Sequence, residues 1–237
     1  MKANEKYKWI LFDADDTLFD YGAAEHCALK MTLEGFNINV SPEILQRYNQ
    51  INGDLFRKLE KDLISSTELR TTRFEMLLSE FGLALDAKLL SRQYLGNLSK
   101  SARLFPNAIE TVHDLAQHFK LAIVTNGLAE VQRARFNTSR IKGYFEDFII
   151  SEEIGATKPS NEFFKIAFEK IGNPQKCEVS IVGDSLTSDM KGGIDFGIDT
   201  CWYNPRKLPK PHDLEINYEI HEIAELLDIF IDRRTSQ

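Results

Sequence analysis

The chain begins with a short apolar run and continues with a long stretch of helical pattern. The run KWILF, residues 8–12, predicts a buried strand. From about residue 20 to residue 100, apolar side chains recur every three or four positions, which predicts helices along 22–35, 42–60, 74–81 and 86–99. Four helices with no strand between them indicate a small bundle.

Local signals mark the ends of these helices. Ser41-Pro42 is a credible start for the second helix. Ser65 and Glu68 have the spacing of a capping box just before the third helix, and Gly82 predicts where that helix ends.

After Pro106 the pattern changes to alternating helices and short apolar strands. The predicted strands are KLAIVT, DFIIS, VSIVGD, TCWYN and a late one near 215–220, and the predicted helices cover 106–118, 128–139, 161–171, 188–196 and 221–232. This alternation predicts a doubly wound parallel sheet, an α/β Rossmann-like core with helices on both faces. The helical block is then an insertion, so we expect a core of residues 1–19 and 101–237 and an inserted helical bundle of residues 20–100.

The amino-acid composition limits the kinds of molecule that the protein is expected to bind. With 43% hydrophobic and 27% charged residues, the 237-residue chain is typical of a soluble globular protein. A net charge of −7 argues against bulk electrostatic binding to a nucleic acid polymer or to an anionic membrane. No apolar segment reaches the roughly 18 residues of a membrane span or forms a signal peptide. Cys27, Cys177 and Cys201 are scattered and lack metal-ligand spacing, so we expect inert thiols and a cytoplasmic location.

Three acidic residues follow the first strand directly. Asp13, Asp15 and Asp16 lie in FDADDT, where like charges about 4 Å apart repel by about 4 kcal/mol at an effective dielectric near 20. Ligands of open parallel sheets bind outside the carboxyl ends of the strands. The predicted topology therefore brings a set of strand-end residues towards one crevice, namely Asp13, Asp15, Thr125, Asn126 and Asp184. Each residue alone has an ordinary explanation as a turn or cap, but their joint occurrence at strand ends predicts one site.

Phosphoryl transfer is the chemistry that suits this set. Mg²⁺ prefers oxygen ligands and usually takes one or two carboxylates together with a substrate phosphate, so Asp13 and Asp184 are candidate ligands. Lys158 supplies a positive charge. The Thr125 hydroxyl and the backbone N–H groups of Asn126 and Gly127 are candidate phosphate donors.

Four motifs in order resemble those of the haloacid dehalogenase superfamily, and among its members the phosphatases with a helical cap inserted after the first strand. The motifs are DADDT, VTNG, Lys158-Pro159 and GDSLTSD. The stretches TNGLAEVQ, ISEEIGATKP and ATKPSNEFF also resemble a bacterial nucleoside-monophosphatase, or 5′-nucleotidase, subgroup.

The resemblance implies a role for each matching residue. Asp13 is the expected nucleophile and forms an aspartyl-phosphate, while Asp15 is the expected general acid and base. Asp13, the backbone carbonyl of Asp15, and Asp184 are expected to hold Mg²⁺. Thr17 and Asp189 are expected beside these ligands. Lys158 is expected to neutralise Asp13 and the phosphoryl group, and Thr125 to bind a phosphoryl oxygen.

Alternative functions stay open. A calcium loop fails because Leu18 and Ala24 occupy the positions that need Gly and Glu. A receiver domain lacks a long helical insertion, and in family comparisons dehalogenases and phosphonatases lack the acid found here at Asp15. Three alternatives remain: a phosphatase of a sugar phosphate or of phosphoglycolate, a sugar-phosphate mutase, and a catalytically silent phosphate-binding protein. We expect the protein to be a monomer or a homodimer.

The substrate is expected to be a small phosphorylated metabolite. Aromatic residues near the flexible segments, Phe19, Tyr21 and Phe56, suit a flat base, because base stacking is worth about 1–3 kcal/mol. This favours nucleoside 5′-monophosphates. Asn52 and Arg73 are further candidates for contact with the leaving group, although a surface or bundle role explains each more simply.

Overall fold

The central element is a six-stranded parallel sheet. The computed structural model describes residues 2–61 and 63–232, so residue 62 of the expected bundle and residues 1 and 233–237 of the expected core lie outside this description. The strands are β1 (Lys2–Ala3), β2 (Trp9–Phe12), β3 (Lys120–Thr125), β4 (Asp147–Ile150), β5 (Val179–Gly183), β6 (Asp199–Tyr203), β7 (Tyr218–Ile220) and β8 (Ile231–Asp232). The sheet order is β4-β3-β2-β5-β6-β7, which confirms the predicted α/β fold class.

Ten α-helices accompany the strands in the described ranges. They are α1 (Tyr21–Gly35), α2 (Pro42–Leu59), α3 (Ser66–Glu80), α4 (Ala87–Leu98), α5 (Ala108–Ala116), α6 (Ala129–Thr138), α7 (Ser151–Ile154), α8 (Asn161–Lys170), α9 (Lys191–Phe196) and α10 (Leu226–Phe230). Short 3₁₀ helices cover Lys142–Tyr144, Lys176–Glu178 and Ile223–Glu225, and a π-helix covers Leu186–Met190.

The centre of the sheet is buried on both faces, and its strands β2, β3 and β5 consist mainly of apolar residues. Every residue of β2 is buried. Alternate residues Trp9 and Leu11 belong to a core cluster with the Phe-rich helix α8, as expected when successive side chains of a strand point to opposite faces. Phe12, on the other face, contacts Phe145 edge to face.

Strand register brings three strand ends to one edge of the sheet. Phe12, the last residue of β2, is aligned with Ile123 of β3 and with Val182 of β5. The segments that follow these strands therefore begin close together, which positions the candidate site.

The residues divide into two compact units. Unit 1 comprises residues 1–20, 103–129 and 136–237, and unit 2 comprises residues 21–102 and 130–135. Within unit 2, α1 packs against α4, α2 against α3, and α3 against α4. The assignment of these units as a catalytic core and a substrate-selecting cap remains a prediction.

The helix-end signals in the inserted segment are confirmed. Ser41 accepts a hydrogen bond from the Ile44 N–H at the start of α2. Ser65 and Glu68 form the capping box of α3. Gly82 has φ of +62° just beyond that helix, a conformation that favours glycine.

The expected helix 221–232 is wrong in extent. The chain forms a 3₁₀ turn, the five-residue helix α10 and then β8, which pairs antiparallel with β1. Ile231 on this strand is buried, so the apolar periodicity of the segment reflects burial of both a helix and a strand. The expected helix 188–196 likewise divides into the π-helix and α9.

Three further observations concern the predictions about membrane spans, cysteines and the aromatic residue Phe19. Among the described residues, no helix has both the length and the apolar character needed to cross a membrane. All three cysteines are free thiols, and only Cys201 is buried. Phe19 is fully buried and belongs to unit 1.

Candidate active site

Asp13 continues the line of β2 into the site. Its backbone N–H donates to the Val182 carbonyl at 2.8 Å, which extends the pairing with β5 by one residue. Asp13 is only 7% exposed. The nucleophile candidate is thus a buried carboxylate held by the central strands of the sheet.

A tight turn follows and holds the next acids. The Ala14 carbonyl accepts from the N–H groups of Leu18 (3.0 Å) and Phe19 (2.9 Å). Asp16 has φ of +58° and donates its N–H to the Phe19 carbonyl at 2.8 Å, which agrees with a turn role. Asp15 remains partly exposed beside this turn.

Two other polar residues flank the turn. Thr17 is fully buried, and its hydroxyl has no hydrogen-bond partner within the described ranges. Asp20 forms an ion pair with Arg103 at 3.1 Å, where the chain leaves and re-enters unit 1. This pair accounts for Asp20 without a catalytic role.

Lys158 lies at the centre of the site. Its ammonium donates to Asp13 Oδ1 at 2.7 Å, to Asp189 Oδ1 at 2.6 Å and to the Val124 carbonyl at 2.7 Å. Lys158 is 1% exposed, so its charge has been removed from water and depends on these acceptors. Three acceptors match the three N–H bonds of an ammonium group.

The backbone of Lys158 is fixed by Asn126. The Asn126 amide donates to the Lys158 carbonyl at 2.8 Å and accepts from the Lys158 N–H at 2.9 Å. The sequence had suggested only a backbone N–H at Asn126, so this positioning role of the side chain was missed. The neighbouring Gly127 N–H donates to Thr125 Oγ1 at 3.1 Å, which ties the buried Thr125 hydroxyl into the same loop.

Asp189 is fully buried and is held from two sides. One oxygen accepts from Lys158, and the other accepts from the Ser185 N–H at 3.1 Å. Gly183, the last residue of β5, leaves the space for this carboxylate, since a Cβ there would lie 2.3 Å from Asp189 Oδ2. The requirement for glycine at this position depends on a tertiary contact.

Three carboxylates could share a cation. Asp13, Asp184 and Asp189 can each offer an oxygen such that all three atoms lie within 4.8 Å of one another. Asp184 is positioned through its carbonyl, which accepts from Trp202 Nε1 at 2.9 Å. The expected pair Asp13 and Asp184 is brought together here. Asp189 joins them, although it was expected only beside the ligands.

The three carboxylates of this cluster lie beside one positively charged group, the ammonium of Lys158. Burial raises the pKa of Asp13 to about 7, with Lys158 opposing the increase and Asp189 adding to it. Burial, together with the charges of Asp13 and Asp189, raises the pKa of Asp184 well above its usual range. The three carboxylates thus form a set of hard oxygen donors with a single ammonium group beside them, which suits a divalent cation such as Mg²⁺.

Comparison with known protein families shows which family the chain belongs to. Residues 10–203 match the family model described as haloacid dehalogenase-like hydrolase. The chain belongs to this family. The resemblance drawn from the four motifs is therefore confirmed, and the chain is a hydrolase by membership.

Individual relatives extend over nearly the whole chain. It is 38% identical to the putative HAD-hydrolase YfnB of Bacillus subtilis, with 95% of this chain and 96% of the relative covered. A crystal structure of YfnB bound to magnesium has a TM-score of 0.89, with 95% and 99% of the two chains covered. The pyrimidine 5′-nucleotidase PynA of Streptococcus pneumoniae is 34% identical, with 94% of each chain covered. The pyrimidine 5′-nucleotidase YjjG of Escherichia coli is 30% identical, with 94% and 98% covered.

Proposed function

We propose that this hydrolase is a Mg²⁺-dependent phosphatase of nucleoside 5′-monophosphates. The observation that carries the proposal is the buried Lys158 bonded to two carboxylates of a three-carboxylate cluster. Such a site provides a nucleophile, a fixed cation and donors for a divalent metal. The names of PynA and YjjG support a nucleotide as the substrate.

The reaction proceeds in two displacements. An oxygen of Asp13 attacks phosphorus, and the ester bond to the nucleoside breaks as Asp15 gives its proton to the leaving oxygen. Asp15 then takes a proton from water, whose oxygen attacks the phosphorus of the aspartyl-phosphate. The bond to Asp13 breaks, so phosphate leaves and the carboxylate is regenerated.

The other residues stabilise charge in these steps. Lys158 neutralises Asp13 and the developing charge on the phosphoryl oxygens. Thr125, Asn126 and Gly127 contribute a hydroxyl and backbone N–H groups to those oxygens. Asp13, the Asp15 carbonyl and Asp184 would hold Mg²⁺, which lowers the negative charge of the cluster when bound. Lys158 also connects Asp13 to Asp189, so we assign Asp189 the positioning of this ammonium.

A substrate panel tests the proposal. We expect Mg²⁺-dependent release of inorganic phosphate, with the highest kcat/KM for nucleoside 5′-monophosphates among pyrimidine and purine nucleotides, hexose phosphates and phosphoglycolate. EDTA should abolish turnover and added Mg²⁺ should restore it. If a sugar phosphate or phosphoglycolate leads by tenfold or more, the nucleotidase assignment is wrong. The phosphatase assignment fails if a generic aryl phosphate is not hydrolysed with Mg²⁺.

A further inference from the structure

One buried tryptophan lies among the segments that carry two of the three clustered carboxylates. Trp202 belongs to β6 and is 1% exposed. Its side chain is part of an apolar cluster with residues of the π-helix, of α9 and of the segment that follows β6, namely Leu186, Met190, Ile194, Leu214 and Ile216. Met190 directly follows Asp189 in the chain, so the segment that carries this carboxylate is packed into the same cluster as the indole.

The indole N–H of Trp202 bonds to the backbone of a candidate metal ligand. Trp202 is aligned with Gly183, and this is the last aligned pair of β5 and β6. Asp184 comes next in the chain, just beyond the end of β5, and its carbonyl accepts from Trp202 Nε1 at 2.9 Å. The side chain of Trp202 therefore holds the Asp184 backbone at the point where the pairing of the two strands ends.

The clustered carboxylates need such support before a cation binds. Oxygens of Asp13, Asp184 and Asp189 can all lie within 4.8 Å of one another, a separation at which like charges repel. Asp13 is held to β5 through its backbone N–H, and Asp189 is held by the ammonium of Lys158. The corresponding anchor of Asp184 is the indole N–H.

The second tryptophan of the chain has a different environment. Trp9 is 7% exposed and belongs to a separate apolar cluster that includes residues of α8. It begins β2, whereas Asp13 follows the other end of that strand. The Lys120 ammonium lies 5.5 Å from the centroid of the Trp9 ring. Trp9 is thus a buried tryptophan of unit 1 that is remote from the carboxylates along its strand, which makes it a matched control.

We propose that Trp202 is a positioning residue of the cation site and that it sets the affinity for Mg²⁺ by holding Asp184 beside Asp13 and Asp189. This inference rests on the proposed function. When the indole N–H is removed, the Asp184 carbonyl loses this donor, and repulsion among the carboxylates moves the Asp184 backbone away from the cluster. Part of the binding energy of Mg²⁺ is then used to bring the third carboxylate back, which weakens binding.

Trp202→Phe tests the role of the indole N–H, because phenylalanine keeps an aromatic ring without a donor. We would measure Kd for Mg²⁺ by isothermal titration calorimetry without substrate, and Tm in EDTA. We expect Kd to increase about 10-fold, as is typical when a group that orients a metal ligand is removed. Trp9→Phe makes the same change at another buried position of unit 1, so it should lower Tm and leave Kd within about twofold, because Trp9 orients no ligand. An unchanged Kd in folded Trp202→Phe, or an equal increase in both variants, would overturn the inference.

Fluorescence covers the case in which Trp202→Phe does not fold. The sequence has two tryptophans, so Trp202 is the one that remains in Trp9→Phe. An indole bonded to the backbone of a metal ligand should change its emission as Mg²⁺ binds, with a midpoint equal to the Kd from calorimetry. Emission that does not respond to saturating Mg²⁺ would count against the role of Trp202. A wild type that binds no Mg²⁺ in calorimetry would instead overturn the Mg²⁺ dependence in the proposed function, so the two failures can be told apart.

Discussion

Gly183→Ala is expected to damage the site without altering any charged group. The added Cβ would lie 2.3 Å from Asp189 Oδ2, 2.4 Å from its Cγ and 2.6 Å from its Cβ. Ordinary van der Waals contacts of a Cβ fall at 3.4–4 Å. Rotation of the Asp189 side chain cannot relieve a contact that includes its own Cβ, so the backbone of the π-helix or of β5 must move.

Two effects follow from this displacement. Overpacking of a buried position costs about 1–3 kcal/mol of unfolding free energy, which lowers Tm by about 2–4 °C per kcal/mol for a chain of this size. Movement of Asp189 also removes one of the three acceptors of Lys158 and shifts its ammonium relative to Asp13. Because a misplacement of about 1 Å can cost about 100-fold in rate, we expect kcat/KM to fall by about that factor.

The assay compares two glycine-to-alanine variants. Turnover of p-nitrophenyl phosphate with saturating Mg²⁺ gives kcat/KM, and thermal melting gives Tm. Gly96→Ala is the control, since a Cβ at this position in α4 meets nothing within 4 Å. It should leave kcat/KM unchanged and add about 0.5–1 kcal/mol of stability, as expected for alanine in a helix. If Gly183→Ala retains kcat/KM within twofold and Tm within about 1 °C of the wild type, the argument that glycine makes room for Asp189 is refuted.

The remaining predictions concern the acids. Asp13→Asn should keep a wild-type circular dichroism spectrum and abolish phosphate release, because an amide is a poor nucleophile; activity near the wild-type level would exclude this role. Asp15→Asn should reduce kcat/KM much more for an alkyl phosphate than for p-nitrophenyl phosphate, whose leaving group needs less protonation, whereas equal losses would remove Asp15 as the general acid. Because burial raises the pKa of Asp13 to about 7, the folded chain without a divalent cation retains a proton that the unfolded chain loses near pH ~4, so its stability should decrease as pH rises through this interval. Mg²⁺ should therefore raise Tm more at about pH 8 than at about pH 5.5, and an equal or opposite difference in melting experiments would contradict the charge argument.

Much of the architecture could be predicted from local pattern. The apolar strands and the helical periodicity identified the α/β class, and the capping box at Ser65 and Glu68 was correct because its partners are three residues apart. The rule that parallel strands share an edge was enough to group Asp13, Thr125 and Asp184. The C-terminal segment was wrong because Ile231 pairs with a residue more than 200 positions away, and periodicity within a window carries no such information.

The sequence by itself determined which chemical groups are available, and motif order with spacing was sufficient to indicate a family. Only the tertiary structure decided how those groups are held. The space at Gly183, the Asn126 amide on the Lys158 backbone and the burial of Arg73 depend on contacts between residues distant in the chain. Local sequence specifies a residue's conformation and polarity, but burial and hydrogen-bond satisfaction depend on which distant atoms surround it.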